Sequence, residues 1–318
     1  MIEVKHLTKR YGEHLAVDDL SFTIEDGQIY GFLGPNGAGK STTMNIMTGC
    51  LAATSGDVTI DGLDIFEDAA QAKRLIGYLP EQPPLYTDRT PREYLRFVAE
   101  AKRVPASEIR GQIDRVLDIT QTAGVADRLI KNLSKGYRQR VGIAQALLGS
   151  PRVIILDEPT VGLDPKQIVE IRDLIKDLGR EHTVILSSHI LSEVQAICTT
   201  ILIISEGRLV ACDTAENLEK LFAGSVSVEL DVDADEAEAG RIVSSLPAVS
   251  KSEISKRPDG GSHLRLEAGS EYSDSVCREL SLAFAGSGHA VLQMTTSKAS
   301  LEDIFIELTG SEKEADKT

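Results

Sequence analysis

Gly34-Pro35-Asn36-Gly37-Ala38-Gly39-Lys40-Ser41 decides how this chain is read. The octapeptide fits G-x-x-x-x-G-K-[ST] in full, a match that a chain of this length makes by chance on the order of once in a hundred sequences. Its surroundings agree. The apolar run Ile29–Leu33 before it reads as a strand, and Ser41–Thr48 after it reads as a short helix closed by Gly49. A strand that turns through glycines into a helix aims several backbone N–H groups at one place, and the helix N-terminus adds partial positive charge there. The spacing predicts a cradle for phosphate built from Gly34, Pro35, Asn36, Gly37, Ala38, Gly39, Lys40, Ser41 and Thr42. Lys40 can reach β- and γ-phosphates, and the Ser41 hydroxyl is available to Mg²⁺.

Val153-Ile154-Ile155-Leu156-Asp157-Glu158 is the partner stretch. A continuous apolar run bounded by Pro151 and Asp157 suits a strand buried on both faces. Two carboxylates then sit at its carboxyl end, where ligand crevices of open α/β sheets lie. Asp157 is placed to meet Mg²⁺, and Glu158 to hold and polarise a water that attacks the γ-phosphate. Alone, such a run is an ordinary strand-to-loop turn; its pairing with the glycine loop carries the reading. Thr183–Leu186 and Ile201–Ile204 are further buried strands, so an α/β domain with a mostly parallel sheet is expected.

Between Thr87 and Ser150 strand signals vanish. Thr90-Pro91 reads as an N-cap with proline at the first helical position, and Tyr94, Phe97, Val98 and Ala101 as one helical face. Residues 87–150 are therefore expected to form a helical insert in a first domain spanning 1–222. The character changes near Gly224. Val226, Val228, Leu230 and Val232 alternate with Ser227, Glu229 and Asp231, as in a half-exposed antiparallel strand. Glu236–Leu246 and Asp274–Phe284 read as helices, His263–Leu266 and Ala290–Met294 as strands, and Leu301–Leu308 as a final helix. The order suggests βαββαβ, a small acidic α+β domain of ferredoxin-like type over 225–309. Residues 310–318 are expected to be a disordered tail.

The 318 residues are 42% hydrophobic and 26% charged, a globular composition with room for two domains. The net charge is −15, and residues 225–318 hold 18 acidic against 9 basic side chains. Such a chain is not built to neutralise nucleic-acid phosphates, and no nucleic-acid partner is expected. No apolar run approaches the ~18–20 residues that span a bilayer. The Met1 end lacks the apolar core of a signal peptide, so a cytoplasmic protein is expected. Cys50, Cys198, Cys212 and Cys277 are scattered without a CxxC pair. They read as reduced, mostly buried thiols rather than zinc ligands.

Three further motifs make the chain recognisable. Leu133-Ser134-Lys135-Gly136-Tyr137 precedes Asp157 and Glu158; Gly162-Leu163-Asp164 and then Ser187-Ser188-His189 follow them. With the phosphate loop, they resemble the ATP-binding subunit of an ABC transporter, a P-loop NTPase, over about residues 1–222. The resemblance implies ATP and Mg²⁺ as cofactors. It implies that Tyr11 stacks on adenine, and that Ser134 and Gly136 contact the γ-phosphate of ATP held by a second ATP-binding domain. It implies that Asp164 lies in a loop crossing the dimer interface, and that His189 contacts the γ-phosphate and positions water. Two copies would trap ATP head to tail in a homodimer, closing on binding and reopening on hydrolysis. The residues themselves are compatible: Ser134 is a good N-cap, and Tyr137, Val141, Ala144 and Leu148 form one face of the next helix. Two places depart from the family pattern. Lys135 and Tyr137 stand where glycine and glutamine are usual. In Gly77-Tyr78-Leu79-Pro80-Glu81-Gln82, Glu81 takes the usual place of glutamine, leaving either Glu81 or Gln82 as the residue that meets the metal and senses the permease.

Tyr78-Leu79-Pro80-Glu81, Leu85-Tyr86 and Ser300-Leu301-Glu302-Asp303-Ile304-Phe305 are most similar to ATPases that serve separate ABC-2-type permeases, in drug export and gliding motility. The resemblance thus implies an ATPase that powers export through another chain and sits on the inner face of the cell membrane through it. The alternative is a soluble ABC-type ATPase acting on a ribosome- or DNA-associated partner. A single phosphate loop argues against it, as does the absence of sustained heptads in the 117 positions from Lys40 to Asp157.

Overall fold

A computed structural model describes residues 1–222, 225–258, 260–269, 272, 275–298 and 305. The chain divides into two compact units, Met1–Thr214 and Ala215–Thr318. The helix Ala215–Phe222 thereby groups with the second unit, whereas the change of composition suggests a boundary after residue 222.

The first unit holds a six-stranded sheet in the order Arg208–Asp213, Thr200–Ser205, Ile29–Leu33, Thr183–Ser188, Val153–Leu156, Ile76–Leu79. Five strands are parallel, and Arg208–Asp213 is an antiparallel edge. Every residue of Ile29–Leu33, Val153–Leu156 and Thr183–Ser188 is buried, as a sheet covered on both faces requires. Parallel pairing also brings the carboxyl ends to one rim. Leu33 lies opposite Ser188, and Leu156 pairs with both Leu186 and Leu79. The segments that follow carry the phosphate loop, His189, Asp157 and Glu81, and all emerge along that rim.

A second, antiparallel sheet runs in the order His14–Ile24, Ile2–Tyr11, Ser55–Ile60, Leu63–Asp64. The sequence pattern does not announce it. Ile2–Tyr11 changes register against both neighbours, between Val4 and Leu7 on one side and Lys5 and Thr8 on the other. Bulges of this kind break the two-residue alternation by which a strand is read. One core serves both sheets, and the rings of Phe22 and Phe32 meet in it edge to face at 5.3 Å.

The helices Pro91–Ala101, Ala106–Ile119 and Lys135–Leu147 make up the insert. Thr90 and Glu93 form a reciprocal cap: Thr90 Oγ1 accepts from the Glu93 N–H at 3.2 Å, and the Glu93 carboxylate accepts from the Thr90 N–H at 3.0 Å. The buried face is Pro91, Tyr94, Leu95 and Ala99, while Phe97 is exposed against Tyr86. Of the face Tyr94, Phe97, Val98 and Ala101 that the spacing suggests, Tyr94 is buried and Val98 packs beside it, whereas Phe97 and Ala101 are exposed. At the far end of Lys135–Leu147, the Lys102 ammonium donates to the carbonyls of Gln145, Ala146 and Leu148 at 3.2, 3.1 and 2.7 Å. Orphan carbonyls there are a natural seat for a cation.

After the helix Ala215–Phe222, the described residues of the second unit have the chain order βαββαβ. Its antiparallel sheet runs Val249–Lys256, Ser262–Gly269, Ser225–Val232, Val291–Lys298, and its helices include Glu236–Ser244 and Val276–Gly286. This is the ferredoxin-like arrangement. Val228, Leu230, Leu264, Leu266, Leu280 and Phe284 share its core. Val249–Lys256 is nearly all exposed and shows no apolar alternation, so the sequence offers little to mark it. The helix expected over 301–308 and the tail over 310–318 lie outside the described residues, apart from Phe305. All four cysteines are free thiols, but Cys50 and Cys212 are exposed, against the expectation of burial. Among the described residues no helix is long and apolar enough to cross a membrane.

Two stability measurements test this account. Phe32→Ala removes a fully buried ring at the junction of the sheets and should cost about 3–5 kcal/mol in urea unfolding. Burial pushes the Lys102 ammonium down to about 8 from 10.5. Between those values the unfolded chain holds a proton there that the folded chain lacks, so Lys102 makes stability rise with pH across that window. Lys102→Met should remove that part of the rise.

Candidate functional site

Glycine is required where the phosphate loop passes its neighbours. A Cβ on Gly34 would lie 2.3 Å from the Ile204 carbonyl oxygen; one on Gly39, at φ 98°, would lie 2.5 Å from that of Ala16. The helix Lys40–Met47 starts directly behind Gly39. Lys40 is 6% exposed and donates to the carbonyls of Gly34 and Pro35 at 2.7 and 3.1 Å.

The acidic strand delivers its carboxylates to this loop. Ser41 Oγ donates to Asp157 Oδ1 at 3.1 Å, and the same oxygen accepts from Ser187 Oγ at 2.6 Å. Ser187 Oγ in turn accepts from the Glu158 N–H at 2.8 Å. Asp157 is 2% exposed, and these hydroxyls replace the water it has lost. Glu158 turns the chain in the left-handed region, at φ 47°, a strained conformation for a side chain of this size. Its Oε1 lies 3.8 Å from Lys40 Nζ. Its Oε2 accepts a hydrogen bond from His189 Nδ1 at 2.9 Å. Burial lowers the pKa of the Lys40 ammonium, opposed by the charges of Glu158, Asp157 and Glu81.

Tyr11, Asn36 to Thr42, Glu81, Glu158 and His189 line one cleft of about 420 Å³. Tyr11 leaves its ring half exposed, with Lys9 Nζ 5.2 Å from the ring centre. Of the two alternatives after Pro80, Glu81 faces the phosphate loop. Gln82 lines a different pocket, of about 450 Å³, with Lys135 and Arg138; Glu81 borders both. Among the described residues no group of three or more His, Cys, Asp or Glu could hold a metal. A hydrated Mg²⁺ needs only one or two protein oxygens beside phosphate oxygens, and the adjacent Ser41 and Asp157 offer such a pair.

Ser134, Gly136 and Asp164 are not brought to this cleft. They line a separate pocket of about 320 Å³. Ser134 caps Lys135–Leu147 by accepting from the Tyr137 N–H at 3.3 Å, and Asp164 caps Pro165–Leu178 by accepting from the Gln167 N–H at 2.9 Å. Two helix N-termini therefore converge on one pocket, an arrangement suited to an anion. Tyr137 is exposed at its edge, so the buried face of that helix is carried by Val141 and Ala144 without it.

Four residues of the site escape the sequence reading. Ser187 bonds Asp157 and Glu158; Thr160 and Ser188 both bond Glu193. Ser187 and Ser188 stand in a quoted motif, where a hydroxyl at a strand end reads as turn chemistry. Glu193 sits in the first turn of a helix, where a carboxylate reads as a solvated cap. Only its 4% exposure reveals otherwise.

Comparison with known proteins agrees with this geometry. The family model described as ABC transporter matches residues 17–161. An uncharacterized ABC transporter ATP-binding protein of Bacillus subtilis, YhcH, is 36% identical over 99% of this chain and 97% of its own length. The bacitracin transport ATP-binding protein BcrA of Bacillus licheniformis is 36% identical over 98% of this chain and 97% of its own. A solved ATP-binding cassette, described as a dimer in a post-hydrolysis state bound to ADP and Pi, superimposes with a TM-score of 0.62 at 27% identity, covering 67% of this chain and 98% of the cassette.

Ser187→Ala should test the hydroxyl relay. It strands the buried Glu158 N–H and thins the donors to Asp157, so stability should fall by about 1–3 kcal/mol in urea unfolding.

Proposed function

The chain belongs to the ABC transporter ATP-binding proteins, and we propose that it is the ATP-hydrolysing subunit of an exporter whose membrane permease is a separate chain, of ABC-2 type. The observation that carries the catalytic part is the placement of one carboxylate, Glu158, between Lys40 and His189 in the phosphate-loop cleft.

The residues divide the work as follows. Backbone N–H groups of the loop hold the phosphates, and Lys40 exchanges its loop carbonyls for β- and γ-phosphate oxygens. Tyr11 offers its exposed ring to the adenine. Mg²⁺ would be held by Ser41 and Asp157, with Glu81 facing the same cleft, and would neutralise charge on the phosphate oxygens. Glu158 accepts the proton of the attacking water. His189 orients the Glu158 carboxylate and the γ-phosphate between which that water lies.

Ser134, Gly136 and Asp164 have no part in this chain's own cleft. Their shared pocket at two helix N-termini supports a role toward the γ-phosphate of ATP on a second copy, and hence a head-to-tail homodimer. Closure on ATP and reopening after hydrolysis would drive the permease, placing the protein on the cytoplasmic face of the membrane. The bacitracin transport relative, matched along nearly its whole length, supports transport over a ribosome- or DNA-directed role.

Glu158→Gln should reduce turnover by a factor of roughly 10²–10⁴ while ATP still binds and dimers accumulate on gel filtration. Unchanged turnover would remove Glu158 from the base role. A mild-detergent pull-down from native membranes should recover a polytopic membrane protein in stoichiometric amount. Recovery of only ribosomal or DNA-associated proteins would overturn the exporter reading.

A further inference from the structure

Glu193 is a buried carboxylate with no place in the hydrolytic steps described above, yet three catalytic segments converge on it. Thr160 Oγ1 donates to its Oε2 at 2.6 Å, and Ser188 Oγ donates to the same oxygen at 3.1 Å. Its Oε1 lies 3.9 Å from the Arg172 guanidinium. Each contact leads to a different functional residue. Thr160 belongs to the tight turn after Glu158, in which the Val161 N–H donates to the Glu158 carbonyl at 3.2 Å. Ser188 immediately precedes His189, and its hydroxyl also accepts from the Ile190 N–H at 3.0 Å. Arg172 lies on the helix Pro165–Leu178, whose N-cap is Asp164.

The chemistry of the contacts calls for an acceptor oxygen at this position. Thr160 and Ser188 are 5% and 1% exposed, so their hydroxyls need a partner inside the protein. One carboxylate oxygen accepts from both. Arg172 Nε is buried with no hydrogen-bond partner among the described residues, and its Nη2 lies 3.9 Å from this carboxylate.

We propose that Glu193 is a positioning residue for hydrolysis: by tying the turn behind Glu158 to the strand end before His189, it sets the distance between those two side chains. The inference rests on the assignment of Glu158 and His189 given above. It deepens that assignment, because His189 and Glu158 are joined directly by one part-buried hydrogen bond and from behind by Glu193.

The test is steady-state ATP hydrolysis by the full chain, with nucleotide affinity measured by titrating a fluorescent ATP analogue. Glu193→Ala should lower kcat by about 10- to 100-fold with affinity changed by less than about two-fold, since misplaced groups lose rate and not binding. Glu193→Gln should recover most of the rate, because its amide oxygen still accepts from both hydroxyls. In a His189→Ala background, Glu193→Ala should cost no more than about two-fold further, the signature of residues acting as one unit. Thr160→Val removes one of the two bonds with little change of shape and should move kcat in the same direction, which keeps the question open to measurement if the alanine variant does not fold. Wild-type kcat in Glu193→Ala and Thr160→Val, a parallel loss of affinity, or a full additional loss in the His189→Ala background would each overturn the proposal. Glu158→Gln measured alongside separates the two readings. Full turnover there overturns the base assignment itself, whereas loss there with normal Glu193 variants overturns the positioning role alone.

Discussion

Everything at the phosphate cleft depends on keeping three charges where water hardly reaches. Lys40, Asp157 and Glu158 are 6%, 2% and 8% exposed. An isolated charge so buried would cost several kcal/mol. Each is tolerated because fixed dipoles replace the lost water: loop carbonyls for Lys40, the hydroxyls of Ser41 and Ser187 for Asp157, and the ammonium and imidazole for Glu158. Groups held in this way need little rearrangement when a phosphate arrives, which is the form of preorganisation that favours a charged transition state.

The parallel sheet is what makes such a concentration possible. Four strands in register end on one rim, and each hands over a short segment with a different task. The strands are buried on both faces, so the rim is stiff. The glycines of the loop then let backbone approach backbone at distances no side chain would permit. By contrast, Ser134 and Asp164 are carried by the insert and by a peripheral helix, and they meet in a pocket of their own. The chain thus presents two separate pockets of different make, one lined by Lys40 and Glu158, the other set at two helix N-termini.

How much of this is legible in the sequence varies by element, for physical reasons. The central strands are readable because burial on both faces demands continuous apolar runs. The phosphate loop is readable because its backbone path excludes other residues. The first antiparallel sheet is not, since bulges in Ile2–Tyr11 scramble the alternation. Phe97 and Tyr137 are apolar or aromatic residues at helical spacing that the fold nevertheless leaves exposed. Spacing alone cannot tell a buried stripe from an uncovered one. Glu81 and Gln82 are adjacent, and only the fold shows that Glu81 reaches the phosphate-loop cleft while Gln82 lines only the pocket with Lys135 and Arg138.

The sequence by itself determined the central α/β sheet and the phosphate loop, because each is imposed by local chemistry within a few residues; Asp157 and Glu158 stand out only through their pairing with that loop, and His189 only through the family resemblance. The tertiary structure alone decided how these groups support one another. The hydroxyls of Thr160, Ser187 and Ser188 and the carboxylate of Glu193 are common surface residues whose meaning depends on partners more than two dozen positions away or on burial that no local pattern records. Hydrogen bonds act over about 3 Å of space whatever the separation along the chain, so the network around Glu158 and His189 becomes visible only once the strands are side by side.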